Sequence, residues 1–300
     1  MGDASMLFSI VISVLCLSRV VLVSASAQHH LASRYLPQDP VAKQVVARAL
    51  ADGINLAELP FSAAALKEIV FWNHFEPTTP QSKKCNSDSG GIDVHTHYVP
   101  QWYAELRGDT TKWDLDDHLT LMADQSIAKS ILSVSDPNIL PGNEIATLAI
   151  ARLLNENLAA LARALPHCFG FFGSVPLPHT HAAIVEGKHA LKNLGAQGLA
   201  LSSNHEGLYL GNPLFTAFFA AVDAHKGMSC FHPGLLGRFG DANSRPAILF
   251  LHPHEPVLYI DGHFENANPT NYSAILGEFY FETARTTKSA LQPPGGCFRC

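Results

Sequence analysis

Two histidines one residue apart, His95 and His97, lie in the stretch GGIDVHTHYVP behind a short apolar run. In a strand, residues i and i+2 point to the same side, so this pair can aim two imidazoles into one space. A further histidine, His232, closes the apolar run GMSCFHP at residues 227–233. Three neutral imidazoles suit zinc or another divalent ion, with an oxygen ligand or water completing the shell. The chain holds 16 histidines, so chance pairing is the rival explanation. The elements that carry the three residues have to decide between them.

From Gly91 onward, apolar runs alternate with amphipathic stretches. GIDVHTH (91–97), SILSVS (130–135), CFGFFGSVPL (168–177), GLALSS (198–203) and GMSCFHP (227–233) read as strands. Helices are predicted over 114–125, with Asp114 near the N-cap, and over 143–165, 181–194 and 213–224. Near-continuous apolar strands alternating with helices imply a parallel sheet under a helical cover. No Gly-rich phosphate loop follows any strand, which disfavours a Rossmann sheet. Polar groups gather at the C-terminal strand ends: His95, His97, Ser133, Ser135, Asn204, His205 and His232. That is the end where barrel enzymes assemble their sites. The fold class is therefore read as α/β, a TIM-like (β/α)8 barrel with about five strands visible. By position alone, Asn204 and His205 are candidates for substrate contact.

Apolar residues make up 47% of the chain and charged residues 15%, enough to bury a large core. A net charge of -6 without a basic block argues against a nucleic-acid partner. Residues 7–23 are mostly apolar and Ala25-Ser26-Ala27 offers a small-x-small cleavage pattern, so residues 1–27 read as a signal peptide. Asp3, the lack of a basic residue before the run, and Arg19 within it leave an uncleaved membrane anchor as the rival reading. Export, anchoring and a cytoplasmic location thus stand as alternatives, in that order. Residues 28–89 form an extension, helical over 39–69 and punctuated by Pro40 and Pro60, that runs into the polar linker PTTPQSKKCNSDSGG. The barrel is placed at 90–292, followed by a short irregular tail.

Six cysteines at wide spacing do not suggest a dense disulfide framework. Cys168 and Cys230 sit in apolar runs and read as buried thiols, while Cys297 and Cys300 form a lone CxxC pair. His179, His181, His189 and His225 lie in or near predicted helices and are expected at the surface. Asn271-Tyr272-Ser273 is a glycosylation sequon, meaningful only on export.

IDVHTHYVP, followed much later by a strand ending in FHP, resembles the amidohydrolase superfamily. FGFFGSVPLP, GAQGLALSSNHEGLYLGNPLF and FYFETART are similar to its branch of aminocarboxymuconate-semialdehyde and aromatic-acid decarboxylases, above all members acting on o-hydroxybenzoates such as 6-methylsalicylate. The resemblance implies a deformed barrel holding one divalent metal, usually zinc, and a small aromatic carboxylate as substrate. It implies His95, His97 and His232 as metal ligands, and often a homodimer. It assigns no chemistry to Arg285. The family's remaining aspartate ligand and its acid/base histidine follow later strands, and FETART lies close to Cys300. The catalytic pair is therefore expected beyond this sequence, and the barrel is expected to be incomplete. A metal-dependent hydrolase of a cyclic ester or amide, and an inactive remnant, are the alternatives. The span 234–267 carries HPHEP and IDGHFE, but Pro253 and Pro256 favour reading it as a solvated insertion.

Overall fold

The computed structural model describes residues 38–78, 85, 90–109, 113–134, 142–202, 204–224, 228–231 and 247–252, the last two segments through their backbone. Helix α1 (Pro40–Ala51) begins where Asp39 accepts a 2.8 Å hydrogen bond from the Val41 amide, with Pro40 in the first turn. A proline there loses nothing, because its missing N–H would have had no partner. Helix α2 (Ser62–Asn73) follows, then strand β1 (Gly91–His97), helices α3 (Gln101–Arg107) and α4 (Leu115–Asp124), and strand β2 (Ile127–Ser133). Asp114 caps α4 by accepting from the Asp117 amide at 3.0 Å. Helix α5 (Glu144–Ala164), strand β3 (Phe169–Ser174), helix α6 (Thr180–Lys188) and strand β4 (Gly198–Ser202) come next. A wider π-helical turn, His189–Leu194, continues α6. The chain then makes a two-stranded hairpin of β5 (Asn204–His205) and β6 (Leu208–Tyr209), helix α7 (Thr216–Asp223), and strands β7 (Met228–Phe231) and β8 (Ala247–His252).

Six strands pair in the order β1-β2-β3-β4-β8-β7, every pair parallel. Alternation sorts their side chains cleanly. Leu132 on β2, with Phe169 and Phe171 on β3, packs beneath α2 and α5 together with Leu66, Ile69, Trp72, Leu153 and Leu158. Leu199 and Leu201 on β4 pack beneath α6 and α7 with Ala183, Phe218 and Phe219. The opposite face carries Val94, Ile131, Phe172 and Ala200 as a separate cluster. The helices thus cover one face of the sheet, whereas a doubly wound fold would cover both. This is an arc of a TIM-like barrel, with the Val94 cluster on its inner face. Close approach of the two layers shows at Gly173 on β3. A Cβ there would lie 2.7 Å from the Ala190 Cβ, so only glycine fits.

Helix α5 is apolar and long enough to cross a membrane, but most of its surface is buried inside the protein. It also carries fully buried ionic groups. Arg152 pairs with Glu186 of α6 at 2.7 Å and with Asp52, just after α1, at 2.6 Å. Glu156 takes both oxygens to Arg48 of α1 at 2.9 Å and accepts at 3.0 Å from the ring of His189. The extension is therefore bonded to α5, and it shares the largest core cluster with the sheet.

Three expectations are corrected here. Cys168 is not a free thiol: it forms a disulfide with Cys85 in the polar linker, 83 residues earlier, with Cα atoms 5.0 Å apart. His189 is not at the surface but 4% exposed, because the π-helical turn directs its ring onto Glu156. Residues 247–252 are not a solvated insertion. AILFLH supplies an apolar run that slots between β4 and β7, and Pro253 follows that strand instead of breaking it. His232, Ser135, His225, Arg285, the sequon and the C-terminal CxxC lie outside the described residues.

Candidate functional site

Plain alternation does not determine which face His95 and His97 occupy. Strand β1 pairs Asp93 with Ser130 and Thr96 with Leu132, three steps on one strand against two on its neighbour. One extra residue is accommodated between Asp93 and Thr96, the signature of a β-bulge. Val94 joins the inner-face cluster, yet His97 stands opposite Ser133, whose side chain shares the inner face with Ile131. Two residues three apart share a face only because the bulge resets the parity. The His95 amide donates to the Asp93 carboxylate at 2.9 Å, fixing the turn locally.

The outcome is a pair of imidazoles at the C-terminal end of β1, ring centres 5.2 Å apart and nearly perpendicular. His95 is exposed and His97 half-buried. His97 Nδ1 lies 3.4 Å from the Ser133 hydroxyl. Burial pushes the His97 imidazole below its ordinary pKa, and the neighbouring His95 adds to this, against the opposing effects of Ser133 and Asp93. A neutral ring is the form that binds a metal. Ser133, Ser174 and Ser202 stand at or near the C-terminal ends of three consecutive strands, in phase with Ile131, Phe172 and Ala200 on the same face. The Ser174 hydroxyl is buried without a partner among the described residues. Two imidazoles and a row of hydroxyls thus stand over an apolar floor, and neutral imidazole nitrogens are donors that a divalent cation can use.

Behind the pair, Tyr98 is fully buried. Its amide donates to the Ser133 carbonyl at 3.0 Å. Its hydroxyl lies 2.9 Å from Glu68 Oε1, 3.1 Å from the Trp72 indole nitrogen and 2.7 Å from the Asn157 carboxamide. The phenol has one proton to give. Donated to Glu68, it lets Asn157 turn its Nδ2, otherwise without a partner among the described residues, onto the phenol oxygen. Burial raises the Glu68 carboxyl above its usual range, against the hydrogen bonds from Tyr98 and the Trp102 amide. His118 sits on the helix-covered face. It accepts from Trp113 at 3.1 Å, and its other ring nitrogen is 3.3 Å from Ser130 Oγ.

The structure therefore brings His95 and His97 together, while His232 lies outside the described residues. Strand β7 ends one residue before His232 and pairs with β8, which separates it from β4. Asn204 is placed by the backbone of the small hairpin. His205 is 4% exposed, its ring edge-on to Phe215 at 6.2 Å. Sequence reasoning passed over Ser174, Ser202, Tyr98 and Glu68. The two serines could have been found as the last inward positions of their strands. Glu68 carried no such signal, because it lies 30 residues from its partner.

Residues 92–270, more than half of the chain, match the amidohydrolase family. The chain is 33% identical over 185 residues to the decarboxylase yanB of Aspergillus niger, which covers 57% of this chain and 49% of that protein. It is 31% identical over 185 residues to the 6-methylsalicylic acid decarboxylase acuB of Aspergillus aculeatus, covering 55% and 54%. The chain spans about half the length of the curated relatives it matches. Among solved structures, an amidohydrolase II superposes with a TM-score of 0.54 at 26% identity, covering 69% of this chain and 63% of that one. The 5-carboxyvanillate decarboxylase of Sphingomonas paucimobilis does so with a TM-score of 0.52 at 19% identity, covering 67% and 62%, a likeness of fold.

Proposed function

The chain belongs to the amidohydrolase family, and from that premise we propose that it is a metal-dependent, non-oxidative decarboxylase of a small aromatic hydroxy acid such as 6-methylsalicylate. The observation that carries the reading is the His95–His97 pair, turned by a β-bulge onto the inner face of the barrel arc. The reaction class rests on the decarboxylases among its relatives. His95 and His97 would hold the ion, with His232 as a further ligand. Zinc is the metal expected, in keeping with two or three imidazoles and an oxygen donor. When bound, the ion supplies Lewis acidity and a positive charge that orients a carboxylate.

Other residues of the chain would bind the substrate. Val94, Ile131, Phe172 and Ala200 offer an apolar floor for an aromatic ring. Ser133, Ser174 and Ser202 lie on the same face, and their hydroxyls would be the groups to meet its carboxylate and phenolic oxygens. Loss of CO2 breaks the ring–carboxyl bond, leaves its electron pair on the ring carbon, and requires a proton there.

The test is CO2 release from 6-methylsalicylate by the purified chain, with zinc or manganese added and with metal removed. Metal-dependent CO2 release without lactone hydrolysis is the expected result. Lactone hydrolysis without CO2 release would replace the decarboxylase by a hydrolase. Stoichiometric metal with neither reaction would leave a metal-binding remnant. The Cys85–Cys168 disulfide supports maturation in an oxidising compartment, in keeping with the export reading of the leader. Signal cleavage and glycosylation of the expressed chain, read by mass spectrometry, check that point. A homodimer is the assembly we infer, to be tested by light scattering.

A further inference from the structure

Among the described residues, one carboxylate reaches both ends of the turn that leaves the histidine pair. Glu68 Oε1 lies 2.9 Å from the Tyr98 hydroxyl, one residue after His97, and Glu68 Oε2 accepts from the Trp102 amide at 3.3 Å. Trp102 stands in the first turn of α3, where an unsatisfied amide favours a negative charge. Trp72, one turn along α2 from Glu68, donates to the same phenol, and Asn157 of α5 contacts it from the other side. The Tyr98 amide is bound to Ser133, whose hydroxyl faces His97. Residue 98 is thus held at its backbone by β2 and at its hydroxyl by α2 and α5. Residues 62–73 lie outside the family match at 92–270, so this support comes from the extension.

We propose that Glu68 is a positioning residue for the metal pair, with α2 fixing the exit of β1, through Tyr98 and Trp102, in the geometry that lets His95 and His97 share one ion. The inference rests on the metal reading above. A bulged strand end has two soft directions of escape: back into regular register, which would turn His97 off the inner face, or outward with the turn. Glu68 opposes both by tying residue 98 to residue 102 across the turn. Of its two bonds, the one to Tyr98 lies next to the ligands, so deleting that hydroxyl should reproduce most of the loss of the carboxylate, the Trp102 bond being kept.

The experiment compares the full chain with Tyr98→Phe, Glu68→Ala, Glu68→Gln and the control Ile69→Val. Zinc affinity is measured by chelator competition, and hydrogen exchange is followed over the peptide at residues 94–103. Tyr98→Phe and Glu68→Ala are expected to weaken zinc binding by roughly 10- to 100-fold, the range found when a partner behind a metal ligand is removed. Both should speed exchange in that peptide selectively. Glu68→Gln still accepts from the phenol and should recover part of the affinity. Ile69→Val removes a methylene from the buried face of the same helix and should leave affinity within twofold. Affinity within twofold in both Tyr98→Phe and Glu68→Ala, with exchange unchanged, overturns the proposal. Should the unmodified chain bind no zinc, the metal reading falls. The exchange arm then decides alone: selective acceleration supports the positioning role and its absence removes it.

Discussion

At the scale of single residues, His95 and His97 differ in exposure but stand with their rings 5.2 Å apart at the bulged end of β1, and the proposed metal site rests on that pair. Alanine at either position should remove stoichiometric metal from the chain, read by elemental analysis. Any decarboxylation should fall by at least the roughly 10–100-fold associated with losing a partner behind a ligand. The Asp93 carboxylate acts one step back, since it holds the His95 amide inside the bulge. Asp93→Ala should weaken metal binding while changing overall stability by only about 1 kcal/mol, the typical net worth of one such hydrogen bond. Chelator competition and chemical denaturation separate the two effects.

At the scale of elements, α5 is the beam on which the extension and the sheet meet, and its buried charges set how that joint responds to pH. Burial pushes the Glu156 carboxyl up, but its hydrogen bond with His189 and the charge and hydrogen bonds of Arg48 prevail and hold it below its ordinary value. The folded chain therefore binds that proton less readily than the unfolded chain. The stability contributed is complete above the ordinary carboxylate range and is lost as pH falls through it toward the depressed folded value. Glu156→Gln takes the charge from the hydrogen bonds to Arg48, which is a third exposed, and should cost about 1.5–3 kcal/mol at neutral pH. The variant should also lose less further stability than the parent on acidification, and melting curves across pH 3 to 7 give both readings. The disulfide ties the linker to the start of β3 across 83 residues, a long loop in the unfolded chain. Replacing Cys85 and Cys168 by serine together should cost about 2–5 kcal/mol, measured by denaturant titration against the oxidised parent.

At the scale of the whole molecule, the extension is part of the fold. Val45, Ala49, Leu66, Ile69 and Trp72 belong to one core cluster with Leu153, Leu158, Phe169 and Phe171. Removing residues 38–78 would bare that surface and leave Glu156 and Arg152 without Arg48 and Asp52. Such a chain should fail to give a cooperative melting transition and should bind a dye that reports exposed apolar surface, although it keeps every residue matched to the amidohydrolase family.

The sequence by itself determined the alternation of strands and helices, since apolar runs and 3.6-residue periodicity are local properties. From β1 to α7 the observed elements mostly fall within a few residues of the predicted ones. It also placed His95 and His97 near each other, because i, i+2 spacing keeps two side chains close at one strand end. Only the tertiary structure decided which face they occupy, because one extra residue in β1 reverses the parity and shows only against the register of β2. It alone decided that AILFLH is a strand between β4 and β7, since pairing partners are not written in the run itself. The same holds for Cys85 with Cys168, His189 with Glu156, and Glu68 with Tyr98. Each joins groups at least 30 residues apart, and contacts at that separation are set by packing, on which local spacing is silent.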